Sequence, residues 1–395
     1  MTTTVPRHGA VLGPAFALAA AAAVSLGLAR FSYALLLPPM RSDLGWSYFT
    51  AGAMNTVNAA GYLAAALLMP ALLRRFDARA VMLAGGWLTA ALLALHGGVR
   101  SDAALYALRG ASGMASALSF VGGGLLAARL AGRAAVRSGL ILGTYYGGVG
   151  FGIIASAALV PWFTGTEAAS WPAAWVALAV AAALANLLTA TGSRSLVAPP
   201  VAATAAAPSV RFELRRFAFG LAGYTMFGIG YIGYMTFIVT LLREQGLSAG
   251  LVSAFYMLLG AGVIASSWVW AGLLQRYRSG APLALLNGLL ALATLLPVLS
   301  AWPPLVFSSG ALFGGVFASV VAATTALLRH NAPAAAWPAG IAAFTVVFAA
   351  GQIVGPTVVG WIADGPGGLA RGFVLSAALL AVGSLLAALQ RPLRR

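Results

Sequence analysis

Two arginines stand inside long apolar stretches, where a fixed positive charge is hardest to keep. Arg30 lies in Gly27-Leu28-Ala29-Arg30-Phe31-Ser32-Tyr33, and Arg109 in Leu105-Tyr106-Ala107-Leu108-Arg109-Gly110-Ala111-Ser112-Gly113. A guanidinium stays ionised in any protein setting and presents planar, paired donors that match a carboxylate. Within an apolar span it is costly and must face a cavity or a partner, so both residues are candidate ligand contacts. Around them, Tyr33 follows Arg30 by three residues, and Ser112 follows Arg109 by three. Asn55, Asn58 and Tyr62 recur at helical spacing on one face of the next apolar run. Later in the chain Tyr231, Tyr234, Tyr256 and Gln352 form comparable polar and aromatic stripes. Amides facing lipid lack partners, which puts Asn55, Asn58 and Gln352 ahead of the tyrosines, whose rings serve equally well as packing.

The elements that position these residues follow from composition. Of 395 residues 61% are hydrophobic and 8% charged, and the mean hydropathy is +0.93, whereas a soluble domain carries roughly a quarter charged residues. A bilayer span takes about 20 apolar residues. Runs of that length are expected at Leu12–Leu37, Tyr48–Leu73, Ala80–Val99, Ala103–Ala128, Val136–Phe163 and Trp171–Thr191. Six more are expected at Phe217–Leu242, Leu247–Leu274, Pro282–Ala301, Leu305–Leu328, Trp337–Ala363 and Leu369–Leu389. The first resembles a signal peptide in having Arg7 ahead of it, but it runs on past Leu35 and reads as a retained span. The fold class expected is therefore an all-α membrane protein of twelve transmembrane helices in two six-helix repeats. Residues 1–191 form the first half, 192–216 a cytoplasmic linker rich in proline, alanine and arginine, and 217–395 the second half.

A repeat at an offset of about 201 residues supports this division. It pairs Gly27 with Gly228, Asp43 with Glu244, Gly45 with Gly246, Ser47 with Ser248, Gly61 with Gly262, Arg75 with Arg276 and Gly113 with Gly314. Duplicated halves place a substrate site at their interface near the bilayer midplane. The counterparts of Arg30 and Arg109 are Tyr231 and Gly310, so the cationic feature belongs to the first half alone. Arg30 lies about seven residues before the end of its run and Arg109 about six after the start of its own, which at about 1.5 Å per residue gives them similar depth.

All 23 basic residues are arginine. Most fall in alternate loops, such as Arg74, Arg75 and Arg79, or Arg129, Arg133 and Arg137; the opposite loops hold Arg41, Arg100, Arg243 and Arg371. That bias is the signature of topology and not of a nucleic-acid-binding face, and it places both termini in the cytoplasm. Cysteine is absent, which removes disulfides, thiolate metal sites and thiol nucleophiles. His96 and His330 stand alone near span ends, so no metal site or cofactor is expected, and no membrane-hydrolase constellation appears. Tyr145, Tyr146 and the run Gly147 to Gly152 read as a close helix crossing, since no strand precedes them.

Several motifs carry a family resemblance. The loop Pro70-Ala71-Leu72-Leu73-Arg74-Arg75-Phe76-Asp77-Ala78-Arg79 resembles the major facilitator signature Gly-x-x-x-Asp-Arg-x-Gly-x-Arg. Arg75 and Arg79 match, while Pro70, Arg74 and Asp77 depart from it. The family uses that loop as a conformational latch, so Arg75, Asp77, Arg79 and the repeat partner Arg276 are the latch candidates, with Asp77 taking over the acidic role. Arg109 followed by Gly113 resembles the second signature. The stretch Gly27 to Pro38, with Asn58 to Leu63, Gly230-Tyr231-Ile232 and Gly351 to Pro356, resembles the YbfB/YjiJ group of major facilitator transporters over essentially the whole chain.

The resemblance implies a twelve-helix transporter in a bacterial inner membrane, working by alternating access on a small-molecule substrate, and not an enzyme. It makes the helices bearing Arg30 and Arg109 neighbours lining a cavity. The seven carboxylates, Asp43, Asp77, Asp102, Glu167, Glu213, Glu244 and Asp364, all lie at span ends or in loops. A proton carrier buried in mid-membrane is therefore missing, which favours uniport, exchange against a counter-substrate, or a proton moving with the substrate. A small organic anion is the substrate expected. Efflux of amphipathic drug-like compounds and a non-transporting sensor are the alternatives. The protein is expected to be a monomer whose other partner is the bilayer.

Overall fold

The computed structural model describes residues 9–133, 138–164, 170–196 and 212–393. Arg7, Arg137, Glu167, Arg211, Arg394, Arg395 and the middle of the linker lie outside the described residues.

Among the described residues the chain is helical throughout, and twelve helices are long and apolar enough to span a bilayer. They are α1 (Leu12–Leu44), α2 (Tyr48–Leu73), α3 (Ala78–His96), α4 (Asp102–Arg133), α5 (Gly139–Phe163), α6 (Trp171–Gly192), α7 (Leu214–Glu244), α8 (Ala249–Arg276), α9 (Ala281–Leu299), α10 (Pro303–Asn331), α11 (Ala334–Ala363) and α12 (Gly368–Ala388). Several outrun the apolar runs that mark them: α1 continues through Pro38 and Pro39 to Leu44, and α4 reaches Arg133. Hydropathy stops where charge begins, but the backbone keeps its hydrogen bonds to the helix end.

The chain divides into two compact units, residues 1–36 with 61–203, and residues 37–60 with 204–395. In the first, α3 packs on α4 and α6, and α1 packs on α5, α6 and α4. In the second, α9 packs on α10 and α12, α7 on α11 and α12, and α8 on α10.

Local chemistry sets the corners. Gly45 ends α1 at φ +66° and Gly246 ends α7 at φ +86°, a left-handed conformation that glycine adopts without a Cβ clash. Ser47 and Ser248 follow as caps, accepting the amides of Thr50 (3.1 Å) and Leu251 (3.3 Å). The two repeat-related corners thus share one geometry.

Glycine also sets the closest helix approaches. A side chain at Gly61 would collide with the Gly110 backbone, and one at Gly262 with the backbone of Gly314 and Gly315. The Gly147 to Gly152 run works the same way: Gly148 lies on Ala19, and Gly152 on Ala23 and Gly27, so α1 and α5 touch backbone to backbone.

Within α1, residues Ala23–Phe31 form a π-helical turn, closed by Ser32 N–H donating to the Gly27 carbonyl five residues back (3.1 Å). Such turns are rare and concentrate at functional positions. Arg30 sits on this one.

Candidate functional site

In the first unit the structure brings Arg30, Tyr33, Tyr62, Arg109 and Ser112 together. Arg30 is 5% exposed and its guanidinium lies 5.8 Å from the centre of the Tyr62 ring. Arg109 is 1% exposed; its Nη1 donates to the Ala29 carbonyl (3.3 Å), where the ladder passes from π to α spacing, and its guanidinium stacks 4.4 Å over Tyr33. A guanidinium over an aromatic face gains electrostatically from the ring's negative centre, and more so when desolvated. Arg109 therefore does structural work, tying α4 to the irregular turn of α1. The two cationic groups lie within electrostatic range of each other.

Ser112 is fully buried one turn along α4, and its hydroxyl has no hydrogen-bond partner among the described residues. His96, at the end of α3, is buried as well. It is stacked at 4.5 Å on Trp175, with Nδ1 against the Leu92 carbonyl (2.7 Å).

In the second unit the polar candidates are built into the helix packing. Asn55 Nδ2 donates to Thr236 Oγ1 of α7 (2.7 Å), and the Thr236 hydroxyl donates to the Ile232 carbonyl (2.7 Å). Asn58 is 1% and Gln352 6% exposed. Tyr234 is fully buried, shares a hydrogen bond with Ser309 (2.7 Å) and stacks on Phe313 at 3.9 Å; Tyr256 is fully buried too.

Tyr231 belongs to an aromatic wall that sequence reading treated only as separate stripes. It stacks on Phe227 (4.6 Å), Phe348 (5.6 Å) and Phe317 (6.1 Å), and Tyr224 stacks on Phe227 and Phe348 in turn. Phe348 is the half-buried edge of this wall. Beside it, Tyr224, Thr324, Leu328, Ile341, Phe344 and Thr345 line a recess between α7, α10 and α11.

The latch candidates are dispersed. Asp77 caps α3, taking the amides of Arg79 (3.0 Å) and Ala80 (3.3 Å). Arg79 reaches α6, donating to Ser193 Oγ (3.0 Å) and the Ala190 carbonyl (2.7 Å). Arg75 is exposed, and Arg276 is exposed beside the Tyr277 ring.

A chain of twelve spans with guanidinium groups buried inside one bundle and an aromatic wall inside the other has the architecture of a major facilitator transporter. Solved structures agree in fold. A crystal structure of the nucleoside transporter NupG, as a point mutant, superposes with a TM-score of 0.75 at 14% identity over 95% of this chain and 98% of that one. An inward-facing, occupied bacterial homolog of the human lysosomal transporter Spinster gives 0.68 at 12% identity over 98% and 97%.

The chain belongs to the family described as "Uncharacterised MFS-type transporter YbfB", whose model matches residues 22–388. It is also 31% identical over 383 residues to a chloramphenicol resistance protein of Streptomyces lividans, covering 92% of this chain and 94% of that protein. It is thus a multi-pass membrane transporter of a small molecule and not an enzyme.

Proposed function

We propose that this transporter exports small amphipathic organic molecules, holding the apolar or aromatic body of the substrate on aromatic side chains and its polar group on Arg30. The observation that carries the reading is the wall of Tyr224, Phe227, Tyr231, Phe317 and Phe348, which ends on the half-buried Phe348. Stacked rings present large faces to a planar or apolar solute. The chloramphenicol resistance relative supports the direction, since resistance conferred by a membrane transporter means removal of the compound from the cell.

The arginine-rich loops bearing Arg74, Arg75, Arg79, Arg129, Arg133, Arg276 and Arg278 support a bacterial inner membrane location with both termini cytoplasmic. We take the transporter to be a monomer, drawing on a counter-substrate or on protons that travel with the substrate.

One observation favours the second reading, a dedicated carrier of small organic anions: two guanidinium groups are buried in the same unit at 5% and 1% exposure. Arg30 separates the two readings. Arg30→Lys keeps the charge and loses the paired donors, which for a carboxylate ligand means a loss of about tenfold to a hundredfold in affinity. Phe348→Ala removes the open ring, which for an aromatic substrate means a few-fold to tenfold loss.

The experiment is ligand binding to purified protein, with neutral phenicol-type amphipaths and with simple organic acids, on variants of unchanged thermal stability. Weaker amphipath binding in Phe348→Ala supports export of amphipaths. Amphipath binding that ignores Phe348, together with acid binding lost in Arg30→Lys, overturns it in favour of the anion carrier.

A further inference from the structure

Residues 37–60 comprise the end of α1, the corner and the first half of α2. By chain they continue spans whose remaining parts lie in the first unit, but by packing they belong to the second. Two carboxylates hold them there. The Asp364 side chain, at the C-terminal end of α11, accepts the Tyr48 amide (2.7 Å) on one oxygen and the Phe49 amide (2.9 Å) on the other. These are among the first amides of α2, which have no carbonyl within their own helix to bond, and they form its positive end. Such amides are ordinarily satisfied from within the same segment. Here Ser47 takes Thr50, and the two before it go to a carboxylate 316 positions along the chain.

Glu244, the last residue of α7, accepts from the Tyr48 hydroxyl and from Arg41 Nη1 (3.4 Å), and the Arg41 guanidinium covers the Tyr48 ring at 3.7 Å. Below this ring of charge, Thr56 Oγ1 donates to the Ile353 carbonyl (2.6 Å). There Gly52 lies on Pro356 and Gly360 on Tyr48, backbone on backbone.

The magnitudes point to a reversible fastening. The Arg41 and Glu244 side chains are 31% and 41% exposed, and an exposed ion pair contributes at most about 1 kcal/mol. A carboxylate on a helix N-terminus adds typically 0.3–1 kcal/mol at an exposed site. The contacts are individually weak and geometrically specific. The repeat does not duplicate them: Phe163 stands where the offset would put a second Asp364, and Ala249 where it would put a second Tyr48.

Alternating access in this fold moves one bundle against the other, and a segment chained to one unit while packed in the other must be let go at some point in that motion. We propose that Asp364 and Glu244 form a clasp that fastens the α1–α2 corner to α7 and α11 in one state of the transport cycle and releases it in the other. They are positioning residues and not substrate ligands.

The chain contains no cysteine, so a single introduced thiol reports alone. Thr240, one turn before Glu244, is 3% exposed, and its hydroxyl has no hydrogen-bond partner among the described residues, so Thr240→Cys is a mild probe. The measurement is the rate of modification of that thiol by a hydrophilic maleimide in purified protein. It is repeated with Asp364→Ala, with the milder Asp364→Asn and with Glu244→Gln, and against Thr89→Cys, a fully buried position in the first unit. We expect modification at position 240 to rise about tenfold in Asp364→Ala, the change that roughly 1.4 kcal/mol of lost bias gives. It should rise less in Asp364→Asn and Glu244→Gln, with position 89 unchanged. A rate at 240 that does not move, even where thermal stability falls, makes Asp364 a structural cap and overturns the proposal. A parallel rise at 240 and 89 means general loosening and overturns it as well.

Discussion

The interiors of the two units differ at positions that the repeat makes equivalent. Where α1 carries Arg30 on a π-helical turn, α7 carries Tyr231 in a stack of rings; where α4 carries Arg109 on the Ala29 carbonyl, α10 has Gly310, pressed against the Phe255 ring. The glycine crossings at Gly61 and Gly262 and the corners at Gly45 and Gly246 are shared. Duplication thus preserved the backbone contacts, which tolerate no side chain. The interior side chains diverged, one bundle becoming cationic and the other aromatic. Chemistry in this fold lies in the positions that do not hold the helices together.

That contrast can be broken most sharply by Tyr231→Arg, which places a guanidinium among Phe227, Phe317 and Phe348. Leaving a buried charge without compensation costs about 3–5 kcal/mol, so folded protein should be nearly lost, as read by monodisperse yield in size-exclusion chromatography. Arg109→Ala is the complementary change. It removes a charge-assisted bond contributing about 1.5–3 kcal/mol together with the packing on Tyr33, and should lower the unfolding temperature clearly; Arg109→Lys should recover part of the loss.

The shared framework is sharpened by Gly61→Ala and Gly262→Ala. Each forces a methyl against opposing backbone at a cost of about 1–3 kcal/mol, and the two should destabilise to a similar degree in the same thermal assay. Markedly unequal losses would mean that the crossings are not equivalent. The smallest effect belongs to Tyr234→Phe, which deletes the hydroxyl shared with Ser309 and leaves the stack on Phe313, for a loss of about 1 kcal/mol.

Much of this molecule is legible in its sequence, for identifiable reasons. Apolar runs announce spans because a bilayer leaves the backbone no partner except itself. Arg30 and Arg109 announce buried positions because a cation in such a run must face protein. The structure buries both, and it shows Arg109 engaged with Ala29 and Tyr33.

Other features were out of reach. The π turn at Ala23–Phe31 depends on how α1 lies on Gly148 and Gly152 of α5, which no local pattern encodes. The pairing of Asn55 with Thr236 and the capping of α2 by Asp364 join residues 181 and 316 positions apart. Counting carboxylates at span ends locates Asp364 and Glu244 but cannot say which helix end each will meet. Asp77, expected in a charge latch, is sited by a more local rule, since an aspartate before a helix takes the helix's first amides.

The π turn also fixes a phase. An α-helix advances about 100° per residue, and one residue absorbed into a wider turn shifts everything beyond it by roughly that angle relative to everything before it. The face of α1 that leads up to Ala22 is therefore not the face that continues from Tyr33 to Leu44. Deleting a single residue between Ala23 and Phe31 would restore regular winding while swivelling the far end of the span by about a quarter turn. Arg41 would then point away from Glu244, and Tyr33 away from Arg109. Insertion and deletion of single residues in this turn should consequently be far more damaging than most point substitutions on either side of it.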